Sequence, residues 1–208
     1  MGSALPTVAG RAYSAPAATS VMSSSQDLTD SRWIERWRAS IEGSNVLELG
    51  CGSGSDTRHI ERIAKSVICS DIRQHKPDGT RSQFVQLDHG VFLPFSIKFD
   101  VVVASLCLHY FRWEKTKRII REIARVLASE GLLICRLNSA EDHNFGASGY
   151  PEIEPGLYDV GGAPKRFFHE NDILELFSNG WILSSLEHKC IDRYEEPKWV
   201  WEFGANYS

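Results

Sequence analysis

From about residue 30 onward, short apolar runs alternate with stretches in which apolar residues return every three or four positions. The runs at 45–49, 66–70, 84–87, 99–105 and 132–137 have strand length and are apolar nearly throughout, as strands buried on both faces must be. Between them lie amphipathic stretches, one carrying Ile60, Ile63 and Ala64, and a longer one carrying Ile119, Ile120, Ile123, Val126 and Leu127, with Gly131 ending it. Ahead of the first strand, Trp33, Ile34, Trp37 and Ile41 recur at helical spacing behind an Asp30 or Ser31 cap and stop at Gly43. Strand and helix in turn predict βαβ units, hence an α/β fold with a mainly parallel sheet covered by helices on both faces. No internal repeat is visible.

The last third changes texture. Residues 138–165 form a polar segment with five glycines and three prolines, too long for a plain connector, and the expectation is a lid or substrate loop. A short helix at 170–177 stops at Gly180. The runs at 181–186 and 199–203, joined by a turn around Glu195-Glu196-Pro197, read as a closing β-hairpin. At the other end, residues 1–26 are rich in Ala, Ser and Pro, have Arg11 as their sole charge and show no periodicity. Such a segment does not offset its ordering entropy, which predicts a disordered leader over 1–28 and one folded domain over 29–208. The leader reads as an appended segment, a plain flexible tail or an acid-poor organellar transit segment.

Composition narrows the classes. Hydrophobic residues at 42% and charged residues at 24% provide for a full core, and no apolar run approaches the roughly 20 residues of a membrane span. Twenty-three Lys and Arg against 27 Asp and Glu, net charge -4, give no basic field for nucleic acid. The cluster Lys115, Lys117, Arg118, Arg121 and Arg125, interrupted by Glu114 and Glu122, reads as a solvated helix face. Five cysteines without a CxxC pair argue against both a disulfide framework and a zinc site and point to a reducing compartment, the cytoplasm, with organelle import through the leader as the other reading. Glu141-Asp142-His143 lacks ligand spacing, so no metal is expected. The tryptophans at 33, 37, 181, 199 and 201 read as core residues.

Chemistry concentrates in Asn45-Val-Leu-Glu-Leu-Gly-Cys-Gly-Ser-Gly-Ser-Asp-Thr57, an apolar strand running into three glycines at alternate positions and then a helix. Gly50, Gly52 and Gly54 let the backbone turn tightly and approach a ligand. A dinucleotide fingerprint would need glycine at position 55, which is Ser55; this weakens the nicotinamide reading. Asp71, 21 positions after Gly50 at the end of the second strand, is placed to accept both hydroxyls of a ribose, and Asp88 after the third strand to accept from an adenine amino group.

With these residues, the strand Phe99-Asp-Val-Val-Val-Ala-Ser-Leu and the turn Arg125-Val-Leu-Ala-Ser-Glu-Gly-Leu-Leu133, the sequence resembles the class I S-adenosylmethionine-dependent methyltransferases from about residue 33 to 203. The resemblance implies a Rossmann-like seven-stranded sheet, mostly parallel, with the last strand antiparallel. It implies S-adenosylmethionine as cofactor, with Glu48 orienting the glycine loop and the ligand's amino group and with Gly50, Cys51, Gly52 and Gly54 lining its methionine part. It also implies Asp71 on the ribose, Ile72 on the adenine face, Asp88 and the His89 backbone at the adenine edge, and Ser105 under the sulfonium. More loosely, Arg136-Leu-Asn138, Asp142, Lys165-Arg-Phe-Phe168 and Lys198-Trp-Val-Trp201 resemble small tellurite-resistance-type and related small-molecule methyltransferases.

Methyl transfer from a sulfonium is an in-line displacement for which positioning supplies much of the rate. Where the acceptor must lose a proton, a base adds roughly 10²- to 10⁴-fold. His109, past the fourth strand, is the candidate, with Tyr110 beside it. Arg136, Asn138, Arg166 and Phe168 flank the long segment, either as structure or as acceptor lining. The expected partner is a small-molecule acceptor. The competing readings are a nicotinamide-dependent oxidoreductase and a cofactor-binding subunit without turnover.

Overall fold

Alternating side chains that are apolar on both sides force a strand into the middle of a sandwich, and the strand ends at the first residues that cannot be buried. In the computed structural model, which describes residues 32–192 and 194–208, this produces β1 (Asn45–Leu49), β2 (Ser66–Asp71), β3 (Gln83–Gln86), β4 (Phe99–Ser105) and β5 (Leu127–Asn138). The hairpin of β9 (Trp181–Ile191) and β10 (Lys198–Tyr207) completes a seven-stranded sheet ordered β3-β2-β1-β4-β5-β10-β9. Pairs among β1 to β5 are parallel, and β10 runs antiparallel to both of its neighbours, so the last strand of the chain is the one reversed. The expected leader and the Asp30 or Ser31 cap lie outside the described residues.

Side-chain parity divides the core between the two faces. Leu47, Leu49, Val102, Ala104, Leu133 and Cys135 face α4 (Trp113–Val126) and α5 (Glu170–Leu176), meeting Ile119, Ile123, Ile173 and Leu176. Their neighbours Val46, Val101, Val103 and Ile134 face the other way, against Trp33, Ile34, Trp37 and Ile41 of the N-terminal segment and Ile60 of α3 (Ser55–Ile60). Helices therefore cover both faces.

Three expectations are corrected. The single N-terminal helix is two, α1 (Arg32–Glu35) and α2 (Arg38–Ile41), because the backbone at Trp37 (φ -99°, ψ 9°) leaves helical geometry, and Trp33 and Trp37 are both buried. The fifth strand starts at Leu127 instead of after Gly131, since Glu130 takes the left-handed conformation (φ 61°) and a register shift lets Leu127 pair with Phe99. The segment 138–165 is not a loop. After a 3₁₀ turn at His143–Phe145 it folds with Arg166 into an antiparallel three-stranded sheet of β6 (Glu152–Glu154), β7 (Leu157–Val160) and β8 (Ala163–Arg166), whose glycines 156, 161 and 162 supply the positive-φ turns between strands.

Candidate active site

The parallel strands β1, β2, β4 and β5 end along one edge, and the loops after them converge there. After β1, Gly50, Gly52 and Gly54 all have positive φ (66°, 58° and 81°). At Gly50 glycine is required twice over, because an added Cβ would stand 2.4 Å from the Cys107 Cβ in the turn after β4. Gly54 then caps α3 from the left-handed region.

Two acids fix this turn. The Asp71 carboxylate accepts from the Gly52 N–H at 2.9 Å with one oxygen and from the Arg73 backbone N–H (2.9 Å) and Nε (3.2 Å) with the other. These bonds hold its pKa below the usual carboxylate value despite its burial. Glu48 is 3% exposed and accepts from Thr57 Oγ1 at 2.5 Å, tying β1 to α3. Burial, with the nearby Asp56 charge, pushes its carboxyl well upward. Asp56 in turn accepts from Trp33 Nε1 (3.0 Å), and the Arg136 guanidinium lies over the Trp33 ring, 4.2 Å from its centroid. The glycine turn is thus braced through α1 to a buried ion pair between Arg136 and Glu202 at 3.0 Å.

The remaining cofactor candidates lie around the same edge. Ile72, following Asp71, is 65% exposed, an apolar face left open. Asp88 is exposed and accepts from the Gly90 N–H at 2.8 Å. The His89 ring is committed to the Cys107 carbonyl (3.0 Å), so its side chain clamps the loop after β3 to the end of β4 and its candidate role falls to the backbone. Ser105 Oγ is buried without a hydrogen-bond partner, an orphan group at the point where a ligand would lie, and Leu106 after it is held at φ 52°. Cys51 is buried against Cys69, and its thiol is pushed up, which makes it lining and not a nucleophile.

His109 is 4% exposed, and its Nδ1 has no hydrogen-bond partner. Burial, with Lys165 and Lys198 adding to it, drives its pKa well below the ordinary value, so the imidazole is neutral. Tyr110 is half exposed, its ring 4.1 Å from the imidazole. The small sheet is latched here: the Arg166 N–H donates to the His109 carbonyl at 2.6 Å, Arg166 Nε donates to the Phe111 carbonyl at 3.1 Å, and the guanidinium pairs with Glu154. Glu154 also accepts from the Trp113 N–H (2.6 Å) and Arg112 (3.1 Å).

Of the residues flanking the long segment, Arg136 and Arg166 are spent on ion pairs, Phe168 is core, and Asn138 Nδ2 donates to the Arg166 carbonyl at 3.3 Å. Asp142 binds the Lys198 ammonium and the Trp199 N–H. The His188 ring is stacked on Trp199 and hydrogen-bonds Ser139 Oγ at 2.8 Å. Sequence reasoning missed Thr57, Asp56 and Trp33 as supports of the glycine turn, and Arg73 as a partner of Asp71. The Trp-Asp and Arg-Asp contacts join residues that no periodicity relates.

An α/β sheet with a reversed last strand, a glycine turn after its first strand and an acid at the end of its second is a fold of the class I methyltransferase type. Residues 47–135 match the family described as methyltransferase domain. The chain has the fold of the S-adenosylmethionine-dependent methyltransferases, and S-adenosylmethionine is the cofactor this site fits, by its orphan Ser105 hydroxyl, open Ile72 face and Cβ-excluding Gly50. An uncharacterized methyltransferase of Schizosaccharomyces pombe is 25% identical over 198 residues, 86% of this chain and 65% of the relative. The chain spans between 41% and 65% of the lengths of the curated relatives it matches. Among solved structures, an S-adenosylmethionine-dependent methyltransferase of Methanosarcina mazei superposes with TM-score 0.65 at 18% identity, over 80% of this chain and 93% of that one. The 1,6-didemethyltoxoflavin-N1-methyltransferase of Burkholderia thailandensis, bound to 1,6-didemethyltoxoflavin and S-adenosylhomocysteine, does so with TM-score 0.66 at 18% identity, over 88% and 78%. No helix among the described residues is long and apolar enough to cross a membrane.

Proposed function

We propose that the protein transfers a methyl group from S-adenosylmethionine to a small-molecule acceptor by in-line displacement, with His109 as the base. The observation that carries this reading is the neutral, buried imidazole of His109, with its Nδ1 unpartnered, four residues beyond the orphan Ser105 hydroxyl on the same strand end. When bound, the cofactor supplies an electrophilic methyl on a sulfonium. Asp71 holds the ribose hydroxyls, the glycine turn and Glu48 hold the methionine portion, Ile72 covers one adenine face, and Asp88 with the His89 backbone reads the adenine edge. Covering by the small sheet, fastened through Arg166 and Glu154, excludes water from the acceptor side. His109 takes the proton of an acceptor hydroxyl or amine, and its depressed pKa keeps it ready to do so through neutral pH. A small acceptor is supported by that cover and by the bound 1,6-didemethyltoxoflavin of the Burkholderia enzyme.

The test is thermal unfolding with S-adenosylhomocysteine, S-adenosylmethionine, NAD and NADP in parallel, followed by S-adenosylhomocysteine release with acceptor pools. A ligand at 100 times its Kd stabilises by about 2.7 kcal/mol, a shift of roughly 5–10 °C for a chain of this size. A shift with the adenosyl ligands alone supports the reading, and one with a nicotinamide ligand alone overturns it. Tight cofactor binding without turnover on any pool marks a binding subunit.

A further inference from the structure

Beside His109 lies a group of side chains that binding the cofactor does not use. On β8 the alternation of a strand sends Arg166 to Glu154 and sends Lys165 to the opposite face, where its Nζ donates to the Phe145 carbonyl at 2.8 Å. That carbonyl is its one hydrogen-bond partner among the described residues. The ammonium stands 5.6 Å from the Phe145 ring centroid and 5.5 Å from that of Phe167, half-buried between them. Lys198 stands over the same Phe145 ring at 4.7 Å and faces Tyr194 at 5.8 Å. Two ammonium groups therefore share one aromatic wall next to a neutral imidazole.

The carboxylate in this cluster does not balance them. Asp142 is buried and is committed to the Lys198 ammonium and to the Trp199 N–H (3.1 Å), so Lys198 is neutralised while Lys165 is not. One surplus cation half-buried between aromatic rings is unfavourable unless an anion joins it. In agreement, burial and the neighbouring Lys198 push the Lys165 ammonium down to about 8. The adjacent Arg166 N–H is bonded to the His109 carbonyl, so the surplus charge is fixed next to the proposed base and away from the glycine turn.

We propose that Lys165 binds a carboxylate carried by the methyl acceptor, so that the acceptor is an organic monoanion whose apolar body lies along the Phe145 and Tyr194 rings. A single unbalanced charge matches a carboxylate and not a phosphate dianion. The inference rests on the methyltransferase reading of the site, and it narrows the acceptor to a chemical class.

The test uses the full chain saturated with S-adenosylhomocysteine and titrated calorimetrically with benzoate and with its neutral isostere benzamide. Benzoate is expected to bind at least 10-fold more tightly. Lys165→Gln is expected to erase that preference, Lys165→Arg to keep most of it, and both to keep wild-type affinity for S-adenosylhomocysteine, which also reports that they fold. Equal affinity of the acid and the amide, no binding of either up to 10 mM, or a preference that survives in Lys165→Gln each overturns the proposal. Failure of the wild-type chain to bind S-adenosylhomocysteine breaks the methyltransferase reading instead, and that is seen before benzoate is added.

Discussion

The two halves of the site are built in different ways. Around the glycine turn, the contacts that matter are backbone N–H groups, strand-end carboxylates and the absence of Cβ atoms, each placed by its position at the end of β1, β2 or β4. Around His109 and Lys165 they are long side chains from β8, the 3₁₀ turn and β10, placed by contacts between distant segments. A cofactor common to many enzymes can be held by the topology itself, whereas an acceptor has to be recognised by side chains laid over it. Substitutions in the first half should therefore change cofactor affinity, and those in the second should change turnover and the seating of the cover.

The largest effect is expected from Gly52→Arg, which should abolish the thermal shift with S-adenosylhomocysteine. At φ 58° the new side chain costs about 1–3 kcal/mol of backbone strain, but its Cβ meets the flexible Arg73 guanidinium at 3.3 Å and the Gly50 carbonyl oxygen at an ordinary 4.0 Å, so the unliganded protein should still show a cooperative melt. Next comes His109→Ala, expected to lower kcat by roughly 10²- to 10⁴-fold while the Kd for S-adenosylhomocysteine from calorimetry stays within about threefold. Equal losses in both would place His109 with the cofactor. Since burial lowers its pKa, the acid limb of the wild-type pH–rate profile should fall below the roughly 6.5 of an ordinary histidine.

Glu154→Gln leaves the Arg166 guanidinium, whose side chain is 4% exposed, without its counter-charge. The expected loss is about 3 kcal/mol, read as faster proteolysis of residues 150–166 and a lower Tm with cofactor affinity retained. Asp71→Ala should weaken S-adenosylhomocysteine binding by roughly 10- to 100-fold, because it removes the proposed ribose partner and releases the Gly52 N–H together. The smallest effect concerns stability against pH. Protons that His109 refuses in the folded state are taken up on unfolding, so stability is lost as pH falls below about 6.5, and His109→Ala should flatten that slope in denaturant titrations.

Much of the first half could be read in the chain. The strand ends at Leu49, Asp71 and Ser105 follow from apolar runs meeting glycine or polar residues, the closing hairpin from its two runs and turn, and the reversed last strand from the family resemblance. The second half could not be read in this way. Residues 138–165 offer glycines, prolines and few apolar residues, the signature of a loop, and they become β6 to β8 because Glu154 and Arg166 are anchored on Phe111, Arg112 and Trp113. The N-terminal helix was legible as helical but not as broken, since the break serves Trp37, which fits against Gly204 on a strand formed at the other end of the chain.

That last fit sets an order of events during synthesis. Arg36 bonds to Glu202, 166 positions later, and Trp33, which bonds Asp56 of the glycine-turn helix, is covered by Arg136, itself paired with Glu202. At roughly 5–20 residues per second, the N-terminal helices wait about 10–30 s for the partner that completes their seat. The nascent chain therefore completes the seat of its glycine turn only after β10 has been made, and a ribosome stalled before β10 would hold a chain with the glycine turn in sequence but without the brace that fixes it in space.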